Sequence, residues 1–142
     1  MAHWLFKSEP DSYSIADLAR EKTTLWTGVR NYQARNLLRD AIKPGDHVLF
    51  YHSSTKPPAI VGLAKVVRGR IPDPTDREAD PAHPTWYAVE IAHVKTLPRP
   101  IALDELRKTK ALADMLLLQR GSRLSVQPVT PAQFQTLEKM FR

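Results

Sequence analysis

The sequence predicts a small α+β barrel of about five strands interspersed with short helices, and three observations carry that expectation. Segments rich in β-branched and aromatic residues recur at 47–53, 59–68 and 85–97, the composition of strands on a pleated, half-buried surface. Short stretches with apolar residues on one helical face lie around them, without strict strand–helix alternation or internal repeats, which argues against doubly wound and solenoid architectures. Finally, 142 residues with 42% hydrophobic content bury one sizeable core and scarcely two. A single domain over 1–142 is therefore expected. Closing the sheet hides its edges, and helices inserted around the mouth shape a cavity.

Each element has its own justification. Residues 2–7, with Trp4-Leu5-Phe6, suit a buried first strand. Ser14 is an N-cap residue with Asp17 in the first turn of a short helix, and Leu18 and Ala19 continue its apolar face. Residues 21–25 read as a connector and 26–30 as a shaped loop. Asn31 then caps a second helix over 32–42, in which Ala34, Leu37, Leu38, Ala41 and Ile42 share one side. The turn Lys43-Pro44-Gly45-Asp46 stops it. Strands over 47–53 and 59–68 are joined by 54–58, and Gly62 inside the second marks a bulge or a close backbone approach.

From 69 to 84 the composition shifts to Pro72, Pro74, Pro81 and Pro84 among charged residues. This is a long loop, expected to form a mobile rim over the cavity. A strand over 85–97 is broken by Pro98 and Pro100, and two short helices follow at 103–108 and 111–118, the second ended by Gly121 in a left-handed conformation. A last strand covers 124–129. Thr130 and Pro131 open a terminal helix that runs through Phe141.

Composition bounds the function classes. The absence of cysteine removes disulfides, thiolate nucleophiles and cysteine-ligated zinc. The apolar run at the N-terminus is interrupted at once by Lys7 and Glu9, too short for a signal peptide or a membrane span, so a soluble, cytoplasmic protein is expected. Lys and Arg number 21 against 15 acidic residues, a formal charge of +6, which favours polyanions through counterion release. The cations are dispersed, so any basic surface is made by folding. Among His3, His47, His52, His83 and His93 there is no HExxH spacing, and no acidic pair repeats at metal-ligand intervals. Neither a metal nor a cofactor is expected. A triad of Ser8, His52 and Glu9 or Asp46 can be written down, as it can for most chains of this length.

Two stretches carry binding chemistry. Lys7-Ser8-Glu9-Pro10 and the run from Trp26 to Asn36 gather an indole, a flexible glycine, amides and charged groups at element ends. An aromatic face stacks on a heterocycle, amides read its edge, and arginine offers a rigid fork to phosphate oxygens. Each position also has a plainer reading. Trp26 is a core anchor or a binding wall, and Asn31 is a helix cap as well as a pocket residue. Glu9 accepts from a base or pairs with a neighbouring cation. Tyr51, His52 and Ser53 end a central strand, where they face the cavity or pack in the core. Arg30, Arg35, Lys56, Arg120 and Arg123 are phosphate ligands or ordinary surface cations, and Arg120 also suits the last carbonyls of its helix.

The segments KSEPDSYSIADL, WTGVRNYQARN, VLFYHSSTKPPAIVG, PDPT, WYAVEI and ALADMLLLQRGSRLSVQPV, in this order, resemble the EVE domain family across almost the whole chain. The resemblance implies a PUA-like pseudo-barrel of about five strands surrounded by short helices, related to YTH and SRA domains, which hold methylated bases in a cavity. Lys7-Ser8 is similar to the Lys-Ser that opens the YTH domain, Leu25-Trp26-Thr27 to its Ile-Trp-Cys, and Ser122-Arg123 with Gln127 to its Ser-Arg-Asp-Thr-Gln block. In that family the tryptophan walls the methylated adenine, which implies the same role for Trp26. The loop that donates further cage tryptophans there is replaced by 69–84, which contains none.

The leading expectation is a module that takes a modified or flipped-out base of RNA or DNA in a barrel cavity. Its base pocket is expected at Lys7, Ser8, Glu9, Trp26, Thr27, Val29, Asn31, Tyr32, Tyr51, His52, Ser53 and Ser122, and its phosphate contacts at Arg30, Arg35, Lys56, Arg120 and Arg123. The alternative is a small hydrolytic or nucleotide-processing enzyme using the same pocket, with a protein-interaction adaptor third.

Overall fold

The computed structural model describes residues 1–77, 80, 82–119 and 124–141. Six strands, β1 (His3–Ser8), β2 (Thr23–Trp26), β3 (His47–His52), β4 (Ala59–Pro72), β5 (Tyr87–Ala102) and β6 (Val126–Val129), form one sheet in the order β2-β5-β4-β3-β1-β6. The β1–β3 pair is parallel and the others antiparallel. Around the sheet lie α1 (Ile15–Glu21), α2 (Tyr32–Asn36), α3 (Leu103–Lys108) and α4 (Pro131–Met140). Among the described residues no helix is long and apolar enough to cross a membrane.

The sheet curls strongly. Strands β2 and β1 are four steps apart in the order, about 19 Å in a flat sheet, yet the Trp26 ring lies 5.1 Å from Phe6 of β1 and 5.6 Å from Phe50 of β3. The concave face is thus folded onto itself around aromatic side chains, with an open seam between the two ends of the strand order. This is a pseudo-barrel within a mixed α+β fold, as expected, with six strands in place of about five.

Strand alternation divides the apolar residues into two cores. Trp4, Phe6, Val48 and Phe50 point into the concave core together with Ile15 and Leu18 of α1 and Ala34 of α2. Leu5, Leu49 and Tyr51 point the other way, under Leu106 of α3, Leu112, Met115 and Phe134 of α4. Met115 is buried, with Leu116, Leu117 and Leu118 packed partly against the two cores. Each wholly buried Phe or Leu stabilises by about 1.5–3 kcal/mol.

Helix ends follow the local chemistry. Ser14 Oγ accepts from the Asp17 N–H at 3.1 Å while Asp17 Oδ2 accepts from the Ser14 N–H at 2.9 Å, a reciprocal cap. Thr130 and Gln133 repeat the arrangement at α4. After Asn36 the second helix widens into a π-turn over Leu37–Ala41, so the expected span of 32–42 is realised with an altered pitch.

Four expectations need correction. The connector at 21–25 holds the first three residues of β2, a strand of four residues that runs on to Trp26 and is too short to show a period. The expected break at Pro98 and Pro100 is absent, and β5 runs through both. Strand β2 stops at the Thr23↔Ala92 register, leaving this part of β5 with a free edge, and residues 97–100 oppose Val61 alone where the register jumps from Gly62↔Thr96 to Ile60↔Ile101. Proline is tolerated at edges and bulges. The helix expected at 111–118 is instead two 3-10 turns, Lys110–Leu112 and Leu116–Leu118. Finally, β4 extends to Pro72, so the Pro-rich loop is shorter than expected; the Gly121 helix stop lies outside the described residues.

Gly62 is the close approach that its position in a strand signalled. A Cβ built there meets Ile15 Cδ1, Ile15 Cγ1 at 2.7 Å and the Lys95 carbonyl oxygen at 2.9 Å. The backbone oxygen has little freedom to retreat. Gly62→Ala is therefore expected to lower stability by about 1–3 kcal/mol through overpacking, read by urea unfolding. Adding Ile15→Val should recover only part of that loss, because the contact with Lys95 remains.

Candidate functional site

A cavity of about 480 Å³ opens where the ends of the sheet approach each other, within the range of pockets that bind small ligands. One wall is the run from Thr24 to Arg30; the other comes from Lys7, Ser8, Glu9, Ser12, Tyr13 and Ser125. The curl of the sheet makes this site. Residues from β2 and from the β1–β6 end are remote in strand order and meet only because the concave face closes.

Trp26 has both roles that its sequence position allowed. Its ring is tilted on Phe6 and edge-on to Phe50, leaving 9% of the residue exposed, and the residue lines the cavity. Strand β2 is an end strand, so one of its backbone edges is unpaired. The His93 N–H donates to the Lys22 carbonyl at 2.8 Å, which sets the phase of the ladder: Thr24 and Trp26 turn their backbone groups to β5, and Leu25 turns its own outward. Leu25 and Thr27 both line the cavity.

The loop after Trp26 is held from a distance. Asp73, whose side chain has no exposed surface, accepts from the Gly28 N–H at 2.8 Å and from Arg30 Nη1 at 3.0 Å through Oδ2. Its Oδ1 accepts from the Thr75 N–H at 2.7 Å and the Thr75 hydroxyl at 2.6 Å, an Asx-type turn. Burial alone would push the carboxyl up. The hydrogen bonds from Thr75, Gly28 and Arg30 outweigh it and hold the group below the ordinary carboxylate range. Gly28 sits at φ +80°, a left-handed conformation natural to glycine.

The floor is similarly fixed. Ser8 Oγ donates to the Tyr13 carbonyl at 2.6 Å. The Tyr13 hydroxyl donates to Glu21 Oε1 at 2.6 Å; burial, then this bond, push its pKa up to about 12, so the phenol stays protonated. Burial pulls the Lys7 ammonium below its ordinary value. Glu9 is exposed and accepts from the Ser54 hydroxyl at 3.2 Å.

Of the expected base-pocket residues, Lys7, Ser8, Glu9, Trp26, Thr27 and Val29 line the cavity. Five others do not. Asn31 is a helix cap, its Oδ1 accepting from the Ala34 N–H at 3.0 Å. Tyr51 is buried on the opposite face of the sheet, because strand alternation turns it away from Phe50, and burial raises its pKa. His52 Nε2 accepts from the Ile15 N–H at 3.1 Å, anchoring the start of α1, and burial lowers its pKa. The Ser53 N–H donates to the Ser8 carbonyl at 3.0 Å, extending the β1–β3 ladder. Tyr32 stands outside the cavity, 61% exposed and stacked on Trp86 at 4.9 Å. Ser122 lies outside the described residues.

Among the phosphate candidates, Arg30 lines the cavity but is paired with Asp73. Arg35 is on the rim, bound to Asn36 Oδ1 at 2.9 Å and the Thr85 carbonyl at 2.8 Å. Lys56 is exposed in the β3–β4 connection and does not line the cavity. Arg120 and Arg123 lie outside the described residues. Where the Pro-rich loop is described, the Asp73 N–H donates to the Trp86 carbonyl at 2.9 Å, joining its two ends, and Asp80 bridges His83.

Sequence reasoning missed Tyr13, Thr24, Leu25 and Ser125 as lining residues and Asp73 as the clamp. The PDPT block carried the one available signal for Asp73, an Asp two residues before a Thr. Trp86 was assigned to a strand that begins only at Tyr87.

Residues 2–140 match the EVE domain family. Human thymocyte nuclear protein 1 is 42% identical over 94% of this chain and 71% of its own length. A protein from Pseudomonas putida of known structure is 46% identical and superposes with a TM-score of 0.93, covering 99% of this chain and all of that one. The crystal structure of human THYN1 protein in complex with 5-methylcytosine-containing DNA superposes with a TM-score of 0.89 at 38% identity, covering all of this chain and 98% of that one.

Two measurements check the anchors. In Asp73→Asn one acceptor becomes an NH2 group facing N–H donors, so stability is expected to fall by about 1–3 kcal/mol, with faster hydrogen exchange at Gly28. The Asp73 contribution is complete above the ordinary carboxyl pKa of 3.8 and is lost as pH falls through the depressed folded value; the variant lacks that acid limb. For His52 the sign is also worked out: with a lowered folded pKa, the unfolded chain binds the proton first. Its contribution is complete above the ordinary value of 6.5 and declines as pH falls from there toward the folded value. His52→Gln, whose Oε1 can accept from Ile15 without titrating, should flatten the stability profile in that window, as measured by chemical unfolding across pH.

Proposed function

The chain belongs to the EVE domain family, and on that premise we propose that it is a nucleic-acid-binding module whose cavity takes a modified base out of the stack. The observation that carries this reading is Trp26: an indole braced from behind by Phe6 and Phe50 and lining a cavity of about 480 Å³. A braced aromatic wall loses little freedom when a flat ring stacks on it, and such a stack contributes about 1–3 kcal/mol per base. The outward backbone groups of the β2 edge at Leu25 supply a fixed donor and acceptor for a heterocycle edge, while Val29, buried and lining the cavity, offers an apolar surface suited to a methyl group. Lys7 and Arg30 stand where a phosphate chain would leave.

The 5-methylcytosine in the DNA bound to human THYN1 supports 5-methylcytosine as the first base to test. A hydrolytic role for the pocket has less support. Ser8 Oγ is spent on the Tyr13 carbonyl and His52 Nε2 on the Ile15 N–H, so two members of the triad written from the sequence are bound to backbone groups. A reader without turnover is the reading adopted.

The test is binding of fluorescent oligonucleotides that carry 5-methylcytosine, unmodified cytosine or methylated adenine. Tight binding that depends on the modification supports the reading, and equal affinity for all three opposes it. Trp26→Ala is expected to lose about 1–3 kcal/mol of binding and, because the ring is also in the core, about 3–5 kcal/mol of stability. Trp26→Phe should fold and retain part of the affinity. If Trp26→Phe binds as the parent does, the wall assignment is wrong.

A further inference from the structure

Beside the cavity, four side chains form a continuous cation–aromatic ladder. The Arg30 guanidinium carbon lies 5.3 Å from the centre of the Trp86 ring, Trp86 stacks on Tyr32 at 4.9 Å and 30°, and the Arg35 guanidinium carbon lies 5.2 Å from the Tyr32 ring. Both ends are tied down. Arg30 is fixed by Asp73 and by Thr75 Oγ1 at 3.2 Å, and Arg35 by the Thr85 carbonyl. Tyr32 nevertheless keeps 61% of its surface in water. It belongs to no apolar core, so its burial is not what holds it there.

We propose that this ladder is a second nucleotide subsite, which stacks the base adjacent to the one in the cavity. The proposal rests on the cavity being a base site. Three features favour a nucleotide as the occupant. Arg30 both lines the cavity and begins the ladder, so the second site starts at the cavity wall. Tyr32, with 61% of its surface exposed, offers a π surface of the kind on which successive bases stack once the Arg35 guanidinium over its ring turns aside to a phosphate. Arg35 donates to two neutral oxygens and, among the described residues, to no carboxylate, leaving its charge available to a phosphate of the strand beside the Tyr32 ring. The pairing of Arg30 with Asp73 places the stronger phosphate attraction at the Arg35 end.

The experiment uses a single-stranded oligonucleotide with one central 5-methylcytosine, flanked either by normal nucleotides or by abasic sites that keep every phosphate. The parent protein should bind the base-flanked form about five- to a hundredfold more tightly. Tyr32→Ala should lose that factor and bind both forms equally while remaining folded, with only a slightly lower unfolding midpoint because the ring is exposed and outside the core; Tyr32→Phe should keep the preference. Trp26→Phe should weaken both forms. If Tyr32→Ala binds the base-flanked form as tightly as the parent, or loses the same factor on both forms, the subsite is overturned while the cavity reading stands on the Trp26→Phe result. Should the parent bind neither oligonucleotide, the cavity reading fails and the subsite with it.

Discussion

The site depends on one buried carboxylate. Asp73 comes from the far end of β4, yet it receives hydrogen bonds from Gly28 and Arg30 in the loop after β2 as well as from its own turn. Four donors converge on two oxygens that have no exposed surface. Such an anion is tolerated in the interior only because every lone-pair direction is answered. The same bonds fix the left-handed Gly28, aim Arg30 and bring Trp86 to the rim through the Asp73 N–H. Cavity wall and ladder therefore share a single mechanical reference point, which gives a ligand spanning both a preorganised surface.

Trp26 shows how stability and function are coupled at this wall. A fully exposed indole would stack on a base but would also collapse onto other apolar surface. A fully buried one would stabilise the barrel and bind nothing. Its 9% exposure, with Phe6 and Phe50 behind it, is the intermediate case, and it exists because the sheet curls enough to bring β2 over β1 and β3. The curl is favoured in turn by bulges: the register slips at Phe50/Tyr51 and repeatedly along the β4–β5 pair, and each slip adds local twist. Gly62 lies opposite Phe50, beside the first of these, where any side chain would push α1 outward.

Much of this was legible in the sequence, and the failures have physical causes. Local signals were read correctly: the caps at Ser14, Asn31 and Thr130, the close approach at Gly62, the strands at 47 and 59. Lys7, Ser8, Glu9, Trp26, Thr27 and Val29 lie in the two stretches singled out for their binding chemistry, and the geometry gathers them. Tyr51 and Ser53 failed for different reasons. Alternation allows only one of two neighbours to face inward, and Phe50 had taken that direction; Ser53 was absorbed by the backbone ladder. Strand β2 was invisible because four residues show no period, and Pro98 and Pro100 misled because an edge with a bulge accepts what a central strand refuses. Asp73 was missed because its partners Gly28 and Arg30 lie more than forty residues away, beyond any local pattern. Tyr32 was assigned to the right neighbourhood but to the wrong surface.

Electrostatics narrows the choice of residues that matter. The formal charge of +6 suggests a generally basic protein, yet many cations are locally neutralised: Arg20 by Asp17, Arg39 by Asp40, Arg68 by Glu90 and Arg99 by Glu105, all at 2.7–2.8 Å. Exposed pairs of this kind contribute little to stability, but they do cancel the field that a polyanion would sense. Arg30 is cancelled in the same way by Asp73. Among the described residues near the cavity, Lys7 and Arg35 form no salt bridge, although Asp40 is stabilised in part by the Arg35 charge; Lys7 lines the cavity and Arg35 lies beside Tyr32. In the proposed arrangement these two cations flank the course of a strand running from the cavity to the exposed Tyr32 ring, while exposed cations without a salt bridge among the described residues, such as Lys43, Lys65 and Lys139, keep the rest of the surface basic as well.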